Sequence, residues 1–248
     1  MMSTKKQKSQ TDVDYSFNVP TLILIALVAV VIVYNQYQIL TLAQSDAQTF
    51  SVSGNTNLAL PKGSKGTTLG PVFNADGRTT SIRELPTIST TANPAGSGDA
   101  VQDALNRYVP TGTPEYGAAL GISFDDPLGS LTKLAQYDQR EKLDTPEQQA
   151  RYQKLSYGFS CDFCCGSPNQ VTHISNCGCQ HAAAWRGLFK YFIKNNPDYT
   201  DEQLLGEATR WKTLWYPGPM IKRILSEGSL GSTDASTLSQ LPGMVGGC

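Results

Sequence analysis

The sequence predicts a mainly α-helical protein in three parts: an N-terminal transmembrane helix, a flexible stalk, and a small extracytoplasmic bundle of about five short helices with a Cys/His-rich loop. Three observations predict it. An uncharged aliphatic run lies near the N-terminus. A Ser/Thr/Gly/Pro-rich stretch follows, with neither a helical nor an alternating apolar period. Beyond it, apolar residues recur at helical spacing behind capping sequences. The resulting divisions are a cytoplasmic tail over 1–17, the anchor over 18–40, the stalk over 41–98, the helical domain over 99–227 and a disordered tail over 228–248.

The anchor is the run "NVPTLILIALVAVVIVYNQYQIL" from Asn18 to Leu40, which carries no charge. It reaches the ~20 residues a helix needs to cross a bilayer. Pro20 fits a first helical turn, where its missing N–H is tolerated. Lys5, Lys6 and Lys8 precede the run, and no Lys or Arg follows it before Lys62. The positive-inside rule then places the N-terminus in the cytoplasm and the rest beyond a cell membrane, in a single pass. A cleaved secretory signal has a shorter apolar region and a small-x-small cleavage site. "LAQSDAQ" (Leu42 to Gln48) matches that poorly, so the anchor is read as uncleaved.

A net charge of −1, with no basic patch beyond the N-terminal lysines, argues against a nucleic-acid partner. The bilayer is the partner the sequence does indicate, through residues 18–40; a protein partner is left open.

In the stalk, only short stretches such as Thr68 to Phe73 alternate enough to pair as strands. Helical signals begin at Asp99–Val109. Asp126-Pro127 is an N-cap followed by proline at the first helical position, opening a helix to about Gln139. "TPEQ" (Thr145 to Gln148) and "TDEQ" (Thr200 to Gln203) are capping boxes for two more. The strongest period runs from Gln180 to Asn195, where His181, Ala184, Trp185, Leu188, Phe189, Phe192 and Ile193 share one face. "YPGP" (Tyr216 to Pro219) breaks the helix after Trp215, and a last one runs to about Glu227. The aromatic residues are expected in the core. Arg186, Lys190, Arg210 and Lys212 are expected on solvated faces.

The chemistry concentrates in "CDFCCGSPNQVTHISNCGCQH", which holds five of the six cysteines and both histidines. Its candidate ligands are Cys161, Cys164, Cys165, His173, Cys177, Cys179 and His181. A C-x-x-C turn lets two sulfurs reach one ion. The start of the Gln180 helix, with its partial positive charge, favours a thiolate at a neighbour such as Cys179. Seven ligands exceed the four of one tetrahedral ion. One arrangement takes Cys161 and Cys164 with two of Cys177, Cys179 and His181; another has two ions sharing thiolates. Zn²⁺ is the default because it needs no redox partner, while Cu(I) or an iron–sulfur cluster suits the same donors. The metal's role is structural, or one of storage or transfer.

Two other chemistries compete for these sulfurs. Outside a membrane the cysteines can be oxidised, with Cys165 and Cys248 as candidates for a disulfide across a long loop and the domain as a stapled surface-interaction module. Alternatively, Cys161 and Cys164 form the redox pair of a thiol–disulfide oxidoreductase. There is no Gly-rich phosphate loop, no nucleophile elbow and no third histidine for a hydrolytic zinc centre, so the reading leans away from an enzyme.

The constellation "SCDFCCG … CGCQHAAAWRGLFKYFIKN … TDEQLLGEATRWKTLWYPGPM", with "PTGTPEYGAALGISFDDP" upstream, resembles a group of uncharacterised prokaryotic, largely archaeal, membrane-anchored proteins. They share a C-x-x-C-C-G … C-G-C-x-H-x-x-A-x-R-G signature. The resemblance spans about Pro110 to Leu225 and implies no activity. A weaker likeness is to bacterial lipoproteins with a P-C-Y-C-G-C motif, although the chain has neither the leading proline-cysteine-tyrosine run nor a lipobox. Both likenesses imply Cys161, Cys164, Cys165, Cys177, Cys179 and His181 as the shared positions.

Overall fold

The computed structural model describes residue 22 and residues 26–30, 62–73, 79–90, 99–163, 172–227 and 238–247. The chain divides into two compact units, Met1–Leu58 and Ala59–Cys248. In the first, Leu22 and residues 26–30 are helical, and Leu22, Leu27, Val28 and Val30 are exposed. Most of the expected anchor, 18–40, lies outside the described residues. No helix among the described residues is long and apolar enough to cross a membrane.

The second unit is mainly helical with one small sheet. Strands β1 (Gly66–Phe73) and β2 (Thr79–Thr87) pair antiparallel, from Gly66 opposite Thr87 to Val72 opposite Ser81, with an irregularity between Val72 and Phe73. Seven helices follow among the described residues: α1 (Ala100–Tyr108), the single turn α2 (Gly117–Leu120), α3 (Pro127–Arg140), α4 (Pro146–Tyr157), α5 (Gln180–Asn195), α6 (Asp201–Trp215) and α7 (Pro217–Glu227).

The helix starts follow their capping chemistry. Asp126 accepts from the Gly129 amide at the head of α3, and Thr145 accepts from the Gln148 amide at the head of α4. Thr200 and Gln203 form a complete capping box on α6. The tight contact between α3 and α5 depends on Gly187, where a Cβ would lie 2.0 Å from the Leu134 carbonyl oxygen.

Helix α6 is the axis of the domain and is buried on nearly every side. Leu204, Ala208, Trp211 and Trp215 join Trp185, Leu188, Phe189 and Phe192 of α5 and Met220, Ile221 and Ile224 of α7 in one core. Beyond its first turn, such burial leaves almost no solvated face for the charges α6 carries. Arg210 and Lys212, expected in solvent, are therefore fully buried and must be paired. Glu207 is buried with them, accepting from the Ile88 and Ser89 amides, the Ser89 hydroxyl and the Tyr116 hydroxyl. Arg210 donates to the Ser89 carbonyl and hydroxyl oxygens.

These bonds correct the reading of 41–98 as a flexible stalk. The hairpin at Gly66–Thr87 lies within that range and docks on α6 as part of the domain. Thr68, Leu85, Thr87 and Ile88 are buried there. Gly206 lets the strand come close, since a Cβ would stand 2.0 Å from the Pro86 carbonyl oxygen.

The reading of 228–248 as disordered also needs correction. Residues 238–247 fold back as a strap across the start of α7 and the end of α6. The Gly218 amide donates to the Pro242 carbonyl at 3.0 Å, and the Val245 amide donates to the Trp215 carbonyl at 2.8 Å. Leu238 and Leu241 pack against the core. The physical reason is that helix ends present unsatisfied backbone groups, and a Gly/Pro-rich segment can meet them.

Candidate functional site

The Cys/His loop leaves α4 and returns to α5. Its two stems meet in an antiparallel bridge between Ser160 and His173, and the Ile174 amide donates to the Phe159 carbonyl at 3.0 Å. Residues 164–171 lie outside the described residues, and Cys164, Cys165 and Cys248 with them.

On the return stem, Arg186 of α5 clamps the backbone. Its guanidinium donates to the Ile174 carbonyl at 2.6 Å, to the Cys177 carbonyl at 2.8 Å and to Asp138 of α3 at 2.9 Å. Lys190 pairs with the other Asp138 oxygen at 2.8 Å. Both cations are mostly buried, so the expectation that they face solvent is corrected as well. Asp138 neutralises them and makes the clamp possible.

The clamp delivers Cys177 and Cys179 to the head of α5, where their sulfurs stand 3.4 Å apart. Cys179 is the N-cap, its sulfur accepting from the Ala182 amide at 3.4 Å. Cys177 is buried and Cys179 half-buried.

His181, two residues on, faces into the core as its place on the helix predicts. It is 0% exposed and lies among the rings of Trp185, Trp215 and Tyr216. Its Nε2 is 2.8 Å from the Val245 carbonyl oxygen of the strap. A carbonyl only accepts, so Nε2 carries the proton and donates. Its Nδ1 is buried and finds no hydrogen-bond partner among the described residues. Burial holds the imidazole pKa below its ordinary value, and the Val245 contact partly offsets that. His173, on the loop stem, is half-buried and meets the Tyr157 ring edge-on at 6.0 Å.

Cys161 begins the other prong and is also buried. The next residue, Asp162, has a left-handed backbone with φ 67°, which Asp tolerates better than most residues. The Asp162 carboxylate meets Lys212 of α6 at 3.1 Å, and Arg223 of α7 lies 3.6 Å away. The Lys212 ammonium also stands 4.3 Å over the Phe159 ring. Burial pushes the lysine pKa down, while the charge and hydrogen bond of Asp162 push it back up. The C-x-x-C prong thus starts beside a buried cation. Lys212, expected on a solvated face, instead turns inward to the loop, and nothing in the sequence marks that direction.

Of the seven candidate ligands, the structure brings Cys177 and Cys179 into direct contact. Cys161, His173 and His181 stand on the flanks of the same loop. Among the described residues no three His, Cys, Asp or Glu side chains converge closely enough to hold a metal ion. Sequence reasoning missed Asp162 and Lys212, the Arg186 clamp and the Val245 carbonyl. The chain matches no protein family, no curated protein and no solved structure.

Proposed function

We propose that this protein is a single-pass, membrane-anchored, extracytoplasmic domain that binds a thiophilic metal ion, Zn²⁺ first, in its Cys/His loop. The sulfur pair of Cys177 and Cys179 at the head of α5 carries this reading. Two thiolates on one tetrahedral Zn²⁺ at about 2.3 Å stand ~3.8 Å apart. The observed 3.4 Å is close to that spacing. The bridge between Ser160 and His173 supports it further, because it closes the loop that carries Cys161, Cys164 and Cys165. The uncharged run over 18–40, with lysines before it, supports the anchor and its orientation. The archaeal membrane-anchored group with the C-x-x-C-C-G … C-G-C-x-H signature remains the proposed kin. The ion's role is structural, or storage or transfer.

The test is metal content and thiol count on one sample. The full chain is purified in detergent without oxygen and measured by elemental mass spectrometry. About one equivalent of zinc, copper or iron, lost in Cys177→Ser and Cys179→Ser, is the expected result. Less than roughly a tenth of an equivalent, with two or more disulfides, would establish the stapled surface module instead.

A second reading has its own observation. Lys212, held at 3.1 Å by the residue that follows Cys161, puts a buried cation at the start of the C-x-x-C prong, the kind of neighbour that favours a thiolate, which supports thiol–disulfide exchange by Cys161 and Cys164. Turnover in an insulin-reduction assay, abolished by Cys161→Ser and by Cys164→Ser, is its expected result. Activity unchanged in both variants removes it.

A further inference from the structure

The two sulfurs at the head of α5 are chemically unequal. Cys179 caps the helix, and its sulfur accepts from the Ala182 amide at 3.4 Å. The Cys177 thiol donates to the same sulfur, also at 3.4 Å. Two donors and the partial positive charge of the helix start thus converge on Cys179, which favours an anionic, nucleophilic sulfur there. Cys179 is also the more open of the two: it is half-buried, whereas Cys177 is 7% exposed. Gly178 between them is exposed, and among the described residues nothing lies within 4 Å of a Cβ placed on it. The flanking backbone is fixed, with Arg186 on the Cys177 carbonyl at 2.8 Å and Cys179 at the helix start. A disulfide needs about 2.05 Å between sulfurs, ~1.4 Å less than the contact seen. Gly178 supplies the backbone freedom for that movement.

From this asymmetry we infer that Cys177 and Cys179 form a thiol–disulfide exchange couple, with Cys179 the attacking sulfur, Cys177 the resolving one, and a partner disulfide the substrate. The Cys179 thiolate attacks one sulfur of R–S–S–R′, forming a mixed disulfide with R and expelling R′–S⁻. The Cys177 thiol gives its proton to that leaving thiolate. The Cys177 thiolate then attacks the Cys179 sulfur, closing the disulfide between them and expelling R–S⁻. Two electrons pass from the pair to the partner, and the reverse sequence hands a disulfide to a partner dithiol. The arrangement suits the order of events, because the buried thiol need reach only the sulfur it already touches. This activity goes beyond the metal reading and is separate from exchange at Cys161 and Cys164. A bound ion would occupy both sulfurs, so the ion and the partner disulfide compete for one pair.

The test starts from the full chain, reduced, in detergent and with a chelator, without oxygen. Two probes separate the sources of a partner disulfide: glutathione disulfide for small thiols and insulin for proteins. Timed samples are alkylated with iodoacetamide and read by mass spectrometry. The tryptic peptide Leu155–Arg186 holds all five loop cysteines, so its fragment ions place each modification. Wild type is expected to link Cys177 to Cys179 without accumulating a mixed disulfide, and this measurement needs no substitution. Cys177→Ser, which cannot resolve, is expected to hold glutathione on Cys179. Cys179→Ser is expected to take up glutathione at Cys177 about tenfold more slowly. Wild-type Cys177 and Cys179 left reduced by both probes, or paired with other cysteines, overturn the inference and leave the metal reading to its own test. So does Cys177→Ser that captures glutathione elsewhere and not on Cys179. The wild-type reaction is repeated with one equivalent of Zn²⁺ in place of the chelator. Exchange blocked by zinc upholds both chemistries on the same sulfurs; exchange that zinc does not slow upholds this inference and counts against an ion on the pair.

Discussion

Lys212 and Asp162 meet at 3.1 Å with neither side chain open to solvent, and so lock the central helix to the first residues of the cysteine loop. Phe159 lies under the ammonium, and Arg223 stands 3.6 Å from the same carboxylate oxygen that Lys212 meets. The two ends are unequal. Without Lys212, the carboxylate still has Arg223; without the carboxylate charge, two cations face each other.

Asp162→Asn is therefore predicted to cost about 3–5 kcal/mol, the range for stranding one member of a buried pair. Asparagine keeps the tolerance for φ 67°, so the loss reports the charge rather than the backbone. Lys212→Met is predicted to cost less. Urea unfolding of both variants orders them, and a larger loss in Lys212→Met contradicts the account.

Tyr116 predicts a specific alkaline limb. Burial, and then the neighbouring Glu207 charge, hold its phenol pKa well above the ordinary value of 10. Above pH ~10 the unfolded chain releases this proton and the folded chain retains it, so the folded state binds more protons and stability falls as pH rises. The contribution is complete below pH ~10 and lost above it. Tyr116→Phe removes this part of the slope. It also deprives Glu207 and the Trp211 indole N–H of a partner, so at pH 8 it is expected to cost about 1–3 kcal/mol. Unfolding midpoints at pH 8, 10 and 11 measure both effects; an unchanged slope above pH 10 refutes the first.

Gly187→Ala sets helix propensity against packing. Alanine is better than glycine in a helix interior by about 1 kcal/mol. Here its Cβ would fall 2.0 Å from the Leu134 carbonyl oxygen and 3.0 Å from the Asp138 amide nitrogen. Neither backbone atom can swing aside, so α3 and α5 must separate. A net loss of about 2 kcal/mol or more is expected, and a thermal melt that rises would show that the helices do not cross this closely.

Arg186→Lys tests the clamp on the return stem. Lysine keeps the charge but cannot hold Asp138, Ile174 and Cys177 in one planar fork. Losing hydrogen bonds from a charged donor, at about 1.5 kcal/mol or more, lets the stem open more often. Cys177 in the reduced protein is predicted to react with iodoacetamide roughly tenfold faster, read by mass spectrometry of timed samples. An unchanged rate shows that the clamp does not govern the loop.

How much of this was legible in the sequence depended on which atoms hold each element. Helix α5 was readable because its aromatic residues repeat every three or four positions and its start is abrupt. Helices α3, α4 and α6 were readable because Asp126, Thr145 and Thr200 carry side-chain caps. The hairpin was glimpsed only at Thr68–Phe73, because its Gly, Thr and Ser residues have the composition of a linker. What orders it is Glu207, more than a hundred residues away. The strap left no signal, since its ties are backbone groups of Pro242 and Val245. Arg210 and Lys212 were misplaced for a different reason: side-chain type predicts exposure only when a helix has an outside, and α6 has almost none. The proximity of Cys177 and Cys179 followed from their spacing, but the cation beside Cys161 comes from another helix.

The contact between His181 and Val245 joins residues 64 positions apart. At a synthesis rate of about 5–20 residues per second, the histidine leaves the ribosome ~3–13 s before the carbonyl that orients it exists. During that interval the head of α5 has no cover from the strap, and the imidazole is free to turn and to choose either tautomer. Loading of the thiols, or their oxidation, can therefore precede closure, and the order of those events becomes a matter of timing during synthesis rather than of equilibrium in the finished fold.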